Sequence, residues 1–211
     1  ISTISLAAQM LRDNSVNNST SAIERISGVI FDESKRLGMQ VEKVLQMAVF
    51  NEGRLKFKFK DLDIHELIST VVQNFELRVQ SLNGKITFLP GATSTFIYGD
   101  YVHITNVLFN LLDNAVKYCK GNPEIEVITE TKKDKLIIYI KDNGIGIAKE
   151  HQKQIFERFY RVPTGNVHDV KGFGLGLHYV HKIITAHNGT IEVESAINKG
   201  TTFSIKFPIS E

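Results

Sequence analysis

Asn106, Asn110, Asn114 and Lys117 follow one another at steps of four, four and three residues. At about 100° per residue those steps keep all of them within roughly one quadrant of a helix. Asparagine is a poor interior helix former, so this face costs helix propensity without a packing return. Neutral amide oxygens beside a lysine suit a hydrated Mg²⁺ held against phosphates, because Mg²⁺ keeps several waters and takes few protein ligands. The plainer alternative is a polar face in solvent. A second cluster is Asp142-Asn143-Gly144-Ile145-Gly146-Ile147-Ala148, after an apolar run. Its glycines permit close backbone approach, and an aspartate at a strand end can accept a hydrogen bond from an exocyclic amine. Alone it is also an ordinary Asn-Gly turn. The third is Gly172-Phe173-Gly174-Leu175-Gly176-Leu177, leading into apolar periodicity. A glycine-rich loop at a helix start offers free N–H groups and a favourable dipole to phosphate. It lacks the Gly-Lys-[Ser/Thr] of a Walker loop and the spacing of a dinucleotide fingerprint.

These clusters need elements to hold them. Asp100 caps a helix whose other side carries Ile104, Val107, Leu108, Leu111, Leu112 and Ala115. Before it, Leu55, Phe57 and Phe59 alternate with Lys56, Lys58 and Lys60 as a strand, and Asp63 opens a helix with Leu67, Ile68, Val71, Val72 and Phe75. Strands are expected at 85–89, 96–98, 125–130, 136–141, 190–194 and 201–207, with helices over 149–159 and 175–186. Amphipathic strands place one sheet face on helices and leave the other partly wet. The expected class is α+β: a two-layer α/β sandwich over residues 51–211.

Residues 1–50 differ in character. Ile1, Ile4, Ala8 and Leu11 form one helical stripe, and Ser21 to Glu24 is a capping box that restarts a helix after polar residues. Ile23, Ile30, Leu37 and Val44 then recur every seven residues, with Ile26, Val41, Met47 and Ala48 adjoining. Two antiparallel helices with so narrow a seam cannot bury both stripes, so a four-helix bundle made with a second copy is expected over a monomeric hairpin.

Composition narrows the classes. The chain has 211 residues, 25 Lys+Arg against 23 Asp+Glu, and 42% hydrophobic residues, which are globular values. The near balance of charge gives no reason to expect nucleic acid or an anionic membrane as partner. A single cysteine, Cys119, excludes an internal disulfide and fits a reducing, cytoplasmic setting. No apolar run approaches the roughly 18 residues of a membrane span. Starting at Ile1, the chain reads as a piece of something longer whose parent could be membrane-anchored.

Taken in order, these segments resemble the catalytic ATP-binding domain of bacterial sensor histidine kinases, of the fold shared with gyrase and heat-shock chaperones. Asn110 to Tyr118 is similar to the family's asparagine box, DNGIGIA to its first glycine box and Ile155-Phe156-Glu157-Arg158-Phe159-Tyr160-Arg161 to its phenylalanine box. GFGLGL resembles the second glycine box, and Lys199-Gly200-Thr201-Thr202-Phe203 the terminal glycine motif. Residues 1–50 resemble most of the dimerisation and phosphotransfer hairpin. The resemblance implies ATP and Mg²⁺ as cofactors, with Asn114 on the metal, Asn110 beside it and Lys117 on the phosphates. It implies Tyr118 flanking the nucleotide, Asp142 accepting the adenine amine, and Gly144, Gly146 and Ile147 lining the adenine pocket. Phe156 and Phe159 would anchor a lid over residues 162–171, Arg161 would reach phosphate, and Gly172, Gly174, Leu175 and Gly176 would wrap it. Implied partners are a second copy of the chain and a response-regulator receiver domain. Asn106 stands where the family often has a charged or longer side chain, and His178 where a small residue is usual.

The phosphoacceptor histidine of the family opens a His-Glu box followed by a proline, and Ile1 to Leu6 resembles the segment just after it. No histidine precedes His65; His65 itself lacks the following basic residue, Thr and Pro and reads as a helix-start residue. The chain is therefore expected to bind ATP without phosphorylating itself. In ATPases of the same fold a glutamate four residues before the metal-binding asparagine activates water; here that position is Asn110, and an amide takes no proton at neutral pH. A non-catalytic nucleotide-binding scaffold is the other alternative. His178, His181 and His187 lack a carboxylate or cysteine at metal-ligand spacing, and His103, His151 and His168 read as surface or lid residues. Cys119 reads as a packing residue.

Overall fold

The computed structural model describes residues 2–12, 22–31, 33–34, 56–163 and 174–210. The chain divides into two compact units, Ile1–Lys56 and Phe57–Glu211. In the first, α1 spans Ser2–Arg12 and residues 22–31 are helical, α2. Ala7 and Ile26 are its buried residues, whereas Ala8 is exposed and Ile23 is 43% exposed. Ile26 is one of the expected seam residues, and Leu6, Met10, Ile23, Val29 and Phe31 keep apolar surface open. Leu37, Val41, Val44, Met47 and Ala48 lie outside the described residues.

The second unit carries the layers. β1 (Phe59–Asp63) pairs antiparallel with β3 (Phe96–Asp100) as a small separate sheet. The strand expected over the Lys-Phe alternation begins only at Phe59, because the Lys58 N–H goes to Asp100 Oδ2 at 2.7 Å instead of to a strand partner; the rings of Phe57 and Phe59 both lie on His187, 5.5 and 4.8 Å between centroids. The main sheet has the order β2 (Lys85–Pro90), β4 (Glu124–Lys132), β5 (Lys135–Asp142), β7 (Thr201–Pro208), β6 (Thr190–Ser195). β2 and β4 are parallel and the other pairs antiparallel. Helices α3 (Ile64–Gln80), α4 (Tyr101–Lys117) and α5 (Gly176–Ala186) cover one face. Their buried Val71, Leu108, Leu112 and Ile183 belong with Val127, Ile138 and Ile205 to a closed apolar core. The other face is wet, with ion pairs Lys141–Glu126 at 3.1 Å and Lys206–Glu192 at 2.7 Å.

Caps fix where helices start. Asp63 Oδ1 accepts from His65 N–H at 2.8 Å, and Asp100 Oδ1 from His103 N–H at 3.1 Å. The expected helix over 149–159 is instead a run of turns with one 3₁₀ turn at Gln154–Phe156. Phe159 takes a left-handed φ of 65° and gives its N–H to Gly174, so the helix cannot continue. Among the described residues no helix is long and apolar enough to cross a membrane.

His187 ties the layers. Buried at the end of α5, it hydrogen-bonds the Ile183 carbonyl through Nδ1 at 2.7 Å and accepts the Asp100 N–H on Nε2 at 2.9 Å. Only the neutral ring meets both partners. Burial holds its pKa below the usual value, against the Ile183 carbonyl and the Asp100 charge. Burial also lowers His103 and His181. The unfolded chain then takes up protons first, so stability is full above the unfolded histidine pKa near 6.5 and falls as pH drops below it. Urea midpoints are expected to fall between pH 7.5 and pH 5.5; a midpoint constant over that window contradicts this assignment.

Candidate functional site

The polar side of α4 faces the start of α5. Asn106, Asn110 and Asn114 are half-buried there. Asn110 Nδ2 donates to the Asn106 carbonyl at 2.8 Å, which turns Oδ1 toward Gly176. A Cβ at Gly176 would stand 3.0 Å from that oxygen, a tight contact that a larger residue could make only by pressing on the Asn110 amide. At the other end of α4, Lys117 Nζ lies 5.5 Å from the centroid of the Tyr118 ring. Burial pushes the Tyr118 phenol up, while the Arg161 charge holds it down, so Arg161 and Lys117 both bear on this ring.

The first glycine box hooks onto the same helix end. Tyr118 N–H closes on the Asn114 carbonyl at 2.9 Å, and its own carbonyl accepts Ile145 N–H at 3.0 Å. Asp142, half-buried at the end of β5, accepts Gly144 N–H at 2.8 Å and Thr201 N–H at 3.1 Å. Both bonds fall on Oδ1, which leaves Oδ2 as an acceptor. Burial raises the Asp142 carboxyl, opposed by those two N–H bonds. Behind the turn, Ile147 N–H reaches Ser195 Oγ at 2.8 Å, Ser195 Oγ donates to the Gly200 carbonyl at 2.7 Å, and Gln152 Nε2 bridges the carbonyls of Ile147 and Ser195. Ser195 and Gln152 belong to none of the motifs in the sequence, whereas Thr201 lies in the terminal glycine motif. Ser195 and Thr201 meet through β6–β7 pairing.

Phe156 packs against Phe203 and His181, 6.4 and 5.6 Å between centroids, and its carbonyl is 3.0 Å from His178 Nδ1. The unusual His178 thus ties the phenylalanine box to α5. Phe159, 59% exposed, joins Gly174 by a 3.0 Å backbone bond. Gly174 has φ 67°, and a Cβ there would stand 2.6 Å from the Tyr160 carbonyl oxygen. Gly172, His168 and lid residues 164–171 lie outside the described residues. His103 and His151, expected at the surface or in the lid, are half-buried and bonded to Tyr179 and Tyr160, at 2.8 and 2.6 Å. His65 Nε2 meets Thr129 Oγ1 at 2.7 Å, a bond from helix to sheet. A cavity of about 540 Å³ lined by Ile147, Gln152, Val193, Ser195 and Ile197 shares only Ile147 with the expected site residues.

The donor set fits a metal-bound nucleotide. Asp142 Oδ2 is free to accept from an amine, Gly176 brings the start of α5 close to Asn110, and neutral amides stand with Lys117 on α4. Residues 99–211 match the family described as histidine kinase-, DNA gyrase B-, and HSP90-like ATPase. The chain belongs to this family. Within it, the chain is 56% identical over 211 residues to the sensor protein RprX of Bacteroides fragilis, covering 99% of the chain and 41% of RprX. It spans less than half the length of that relative. The catalytic domain of the histidine kinase ThkA superposes with a TM-score of 0.61 at 29% identity, over 72% of this chain and 97% of that domain. ThkA solved in complex with the response regulator protein TrrA superposes with a TM-score of 0.73 at 22% identity, over 99% of this chain and 58% of that one; this likeness is of fold. The histidine kinase fold expected from the sequence is the one observed.

Proposed function

We propose that the chain is the kinase core of a two-component sensor histidine kinase, with residues 1–50 as an incomplete dimerisation and phosphotransfer hairpin and 51–211 as the catalytic domain. It binds Mg-ATP and transfers the γ-phosphate to a histidine of the dimerisation domain, from which it passes to a response-regulator aspartate. The observation that carries this is Asn110. Where hydrolysing members of the fold hold a glutamate base, Asn110 presents an amide whose donor is engaged by the Asn106 carbonyl, so that position supplies no base for water and favours a protein acceptor.

Asp142 takes the adenine amine, Gly144, Gly146 and Ile147 line the base, and Tyr118 flanks it. Asn114 holds Mg²⁺ with Asn110 beside it, while Lys117, Arg161 and the loop Gly172, Gly174, Leu175 and Gly176 hold phosphate. When bound, the metal supplies positive charge to the transferred group. The open apolar surface at Leu6, Met10, Ile23, Val29 and Phe31 favours pairing with a second copy. ThkA's complex with a response regulator favours a receiver domain as the other partner. His65 is engaged with Thr129 and is not the acceptor.

Mg-ADP at ~100 times its dissociation constant is expected to add about 2.7 kcal/mol of stability, about 5–10 °C for a chain of this size. The same chain with labelled ATP and Mg²⁺ should label a longer, histidine-bearing copy and not itself. A melting temperature unmoved by millimolar Mg-ADP refutes the nucleotide site. Labelled water-released phosphate without labelled protein favours the ATPase alternative.

A further inference from the structure

α4 and α5 are fastened by polar groups that the nucleotide reading leaves unused. Tyr179, buried on α5, sets its hydroxyl 2.8 Å from Nδ1 of His103 on α4. Asn106, also on α4, is the neighbour that holds this phenol's pKa down. One turn further along α4 Asn110 lies against Gly176, the first residue of α5. The Tyr179 N–H donates to the Leu175 carbonyl at 2.9 Å, so the residue that is fastened also closes the first turn after the glycine loop. His103 is held in turn by its N–H on Asp100 and by the edge of the Phe57 ring, 5.1 Å between centroids.

Burial keeps the pair neutral. It pushes the Tyr179 phenol up to about 12, and it lowers His103 against the attraction of Asp100. With His103 neutral and Nδ1 unprotonated, the Tyr179 O–H donates to Nδ1. Protonating His103 turns Nδ1 into a donor, and the tyrosine proton loses its partner.

We propose that the Tyr179 hydroxyl, tied to His103 on α4, is a positioning group that holds the first turn of α5 at a fixed place against Asn110. The inference rests on the nucleotide reading above. Backbone N–H groups at a helix start serve phosphate only when fixed in place. Adenine is held elsewhere, by Asp142 at the end of β5. Loosening α5 therefore weakens the hold on phosphates and spares the hold on the base.

Tyr179→Phe deletes one oxygen and keeps the ring. Calorimetry with Mg-ADP and with adenosine on the whole chain separates the two halves of the ligand. Adenosine affinity is expected to stay the same, while Mg-ADP affinity drops about five- to tenfold. The wild-type ratio of the two affinities should also fall as His103 protonates, beyond the fall that titration of the ligand's phosphate imposes on both chains, and this excess should vanish in Tyr179→Phe. The titratable groups facing His103 are Asp100 at its helix start and Tyr179 and His187 from α5. His103→Gln, whose amide oxygen accepts the same proton without titrating, should keep the neutral-pH affinity and lose the excess pH dependence. This second variant carries the test if Tyr179→Phe fails to fold. Equal losses for both ligands, no loss, or a wild-type pH profile in His103→Gln each overturn the proposal. A wild-type chain that binds neither ligand overturns the nucleotide reading instead.

Discussion

Replacing Asp142 by asparagine is expected to lower adenine-nucleotide affinity about 10- to 100-fold, the worth of a hydrogen bond to a charged group, while the melting temperature stays within about 2 °C. The two effects separate because the carboxylate has two jobs on two atoms. Oδ1 takes the N–H groups of Gly144 and Thr201, and an asparagine carbonyl in its place accepts both equally well. Oδ2 is the acceptor left for the base. In asparagine that atom becomes an NH₂, which meets the adenine amine donor to donor. A purine bearing a carbonyl at that position should therefore lose less, or gain. Titrating Asp142→Asn with Mg-ADP and Mg-GDP checks both halves. Unchanged Mg-ADP affinity removes Asp142 from the site, and a collapse of the melting temperature means the two N–H bonds needed the charge.

Asp142 was legible in the sequence because its signal is local: an aspartate ending an apolar run and followed by two spaced glycines. The asparagine face was legible for the same reason, since a helix places residues four apart on one side whatever surrounds it. The segment before the lid was not. Its sequence from Lys149 to Phe159 carries helix-forming residues, but the backbone there answers to distant partners: Gln152 reaches Ser195, and Phe159 reaches Gly174. Ser195 was hidden similarly, because its hydroxyl meets that of Thr201, in the terminal glycine motif, at 3.0 Å only after β6 and β7 pair. The histidines divide along the same line. His187 was passed over as one of a loose cluster, and its buried bridge from Ile183 to Asp100 depends on two elements far apart in sequence. Propensity and spacing find what one element can display. They miss what two elements share.

Gly200→Ala is expected to cost about 3–5 kcal/mol and to lower the melting temperature by about 10 °C. Gly200 holds φ 82°, and Gly146 holds φ 70°. An alanine side chain at Gly200 overlaps the carbonyl oxygen of Asp142, and one at Gly146 overlaps that of Ala196. Neither oxygen belongs to a side chain that can swing away. The left-handed backbone alone costs a non-glycine residue about 1–2 kcal/mol, and the remainder comes from pushing apart two backbone turns. Those turns are joined by Asn198 N–H on the Ile145 carbonyl at 2.8 Å and by the Thr201 N–H on Asp142. Displacing the Asp142 backbone also moves its carboxylate, so nucleotide affinity should fall even at temperatures where the variant is folded. Gly121→Ala is the control, since a Cβ there meets nothing within 4 Å, and it should change stability by no more than about 0.5 kcal/mol. Denaturant unfolding of the three chains decides the matter. A Gly200→Ala variant as stable as Gly121→Ala would mean that the two turns do not press together as the structure has them, and the adenine acceptor would then lose the support on which its geometry depends.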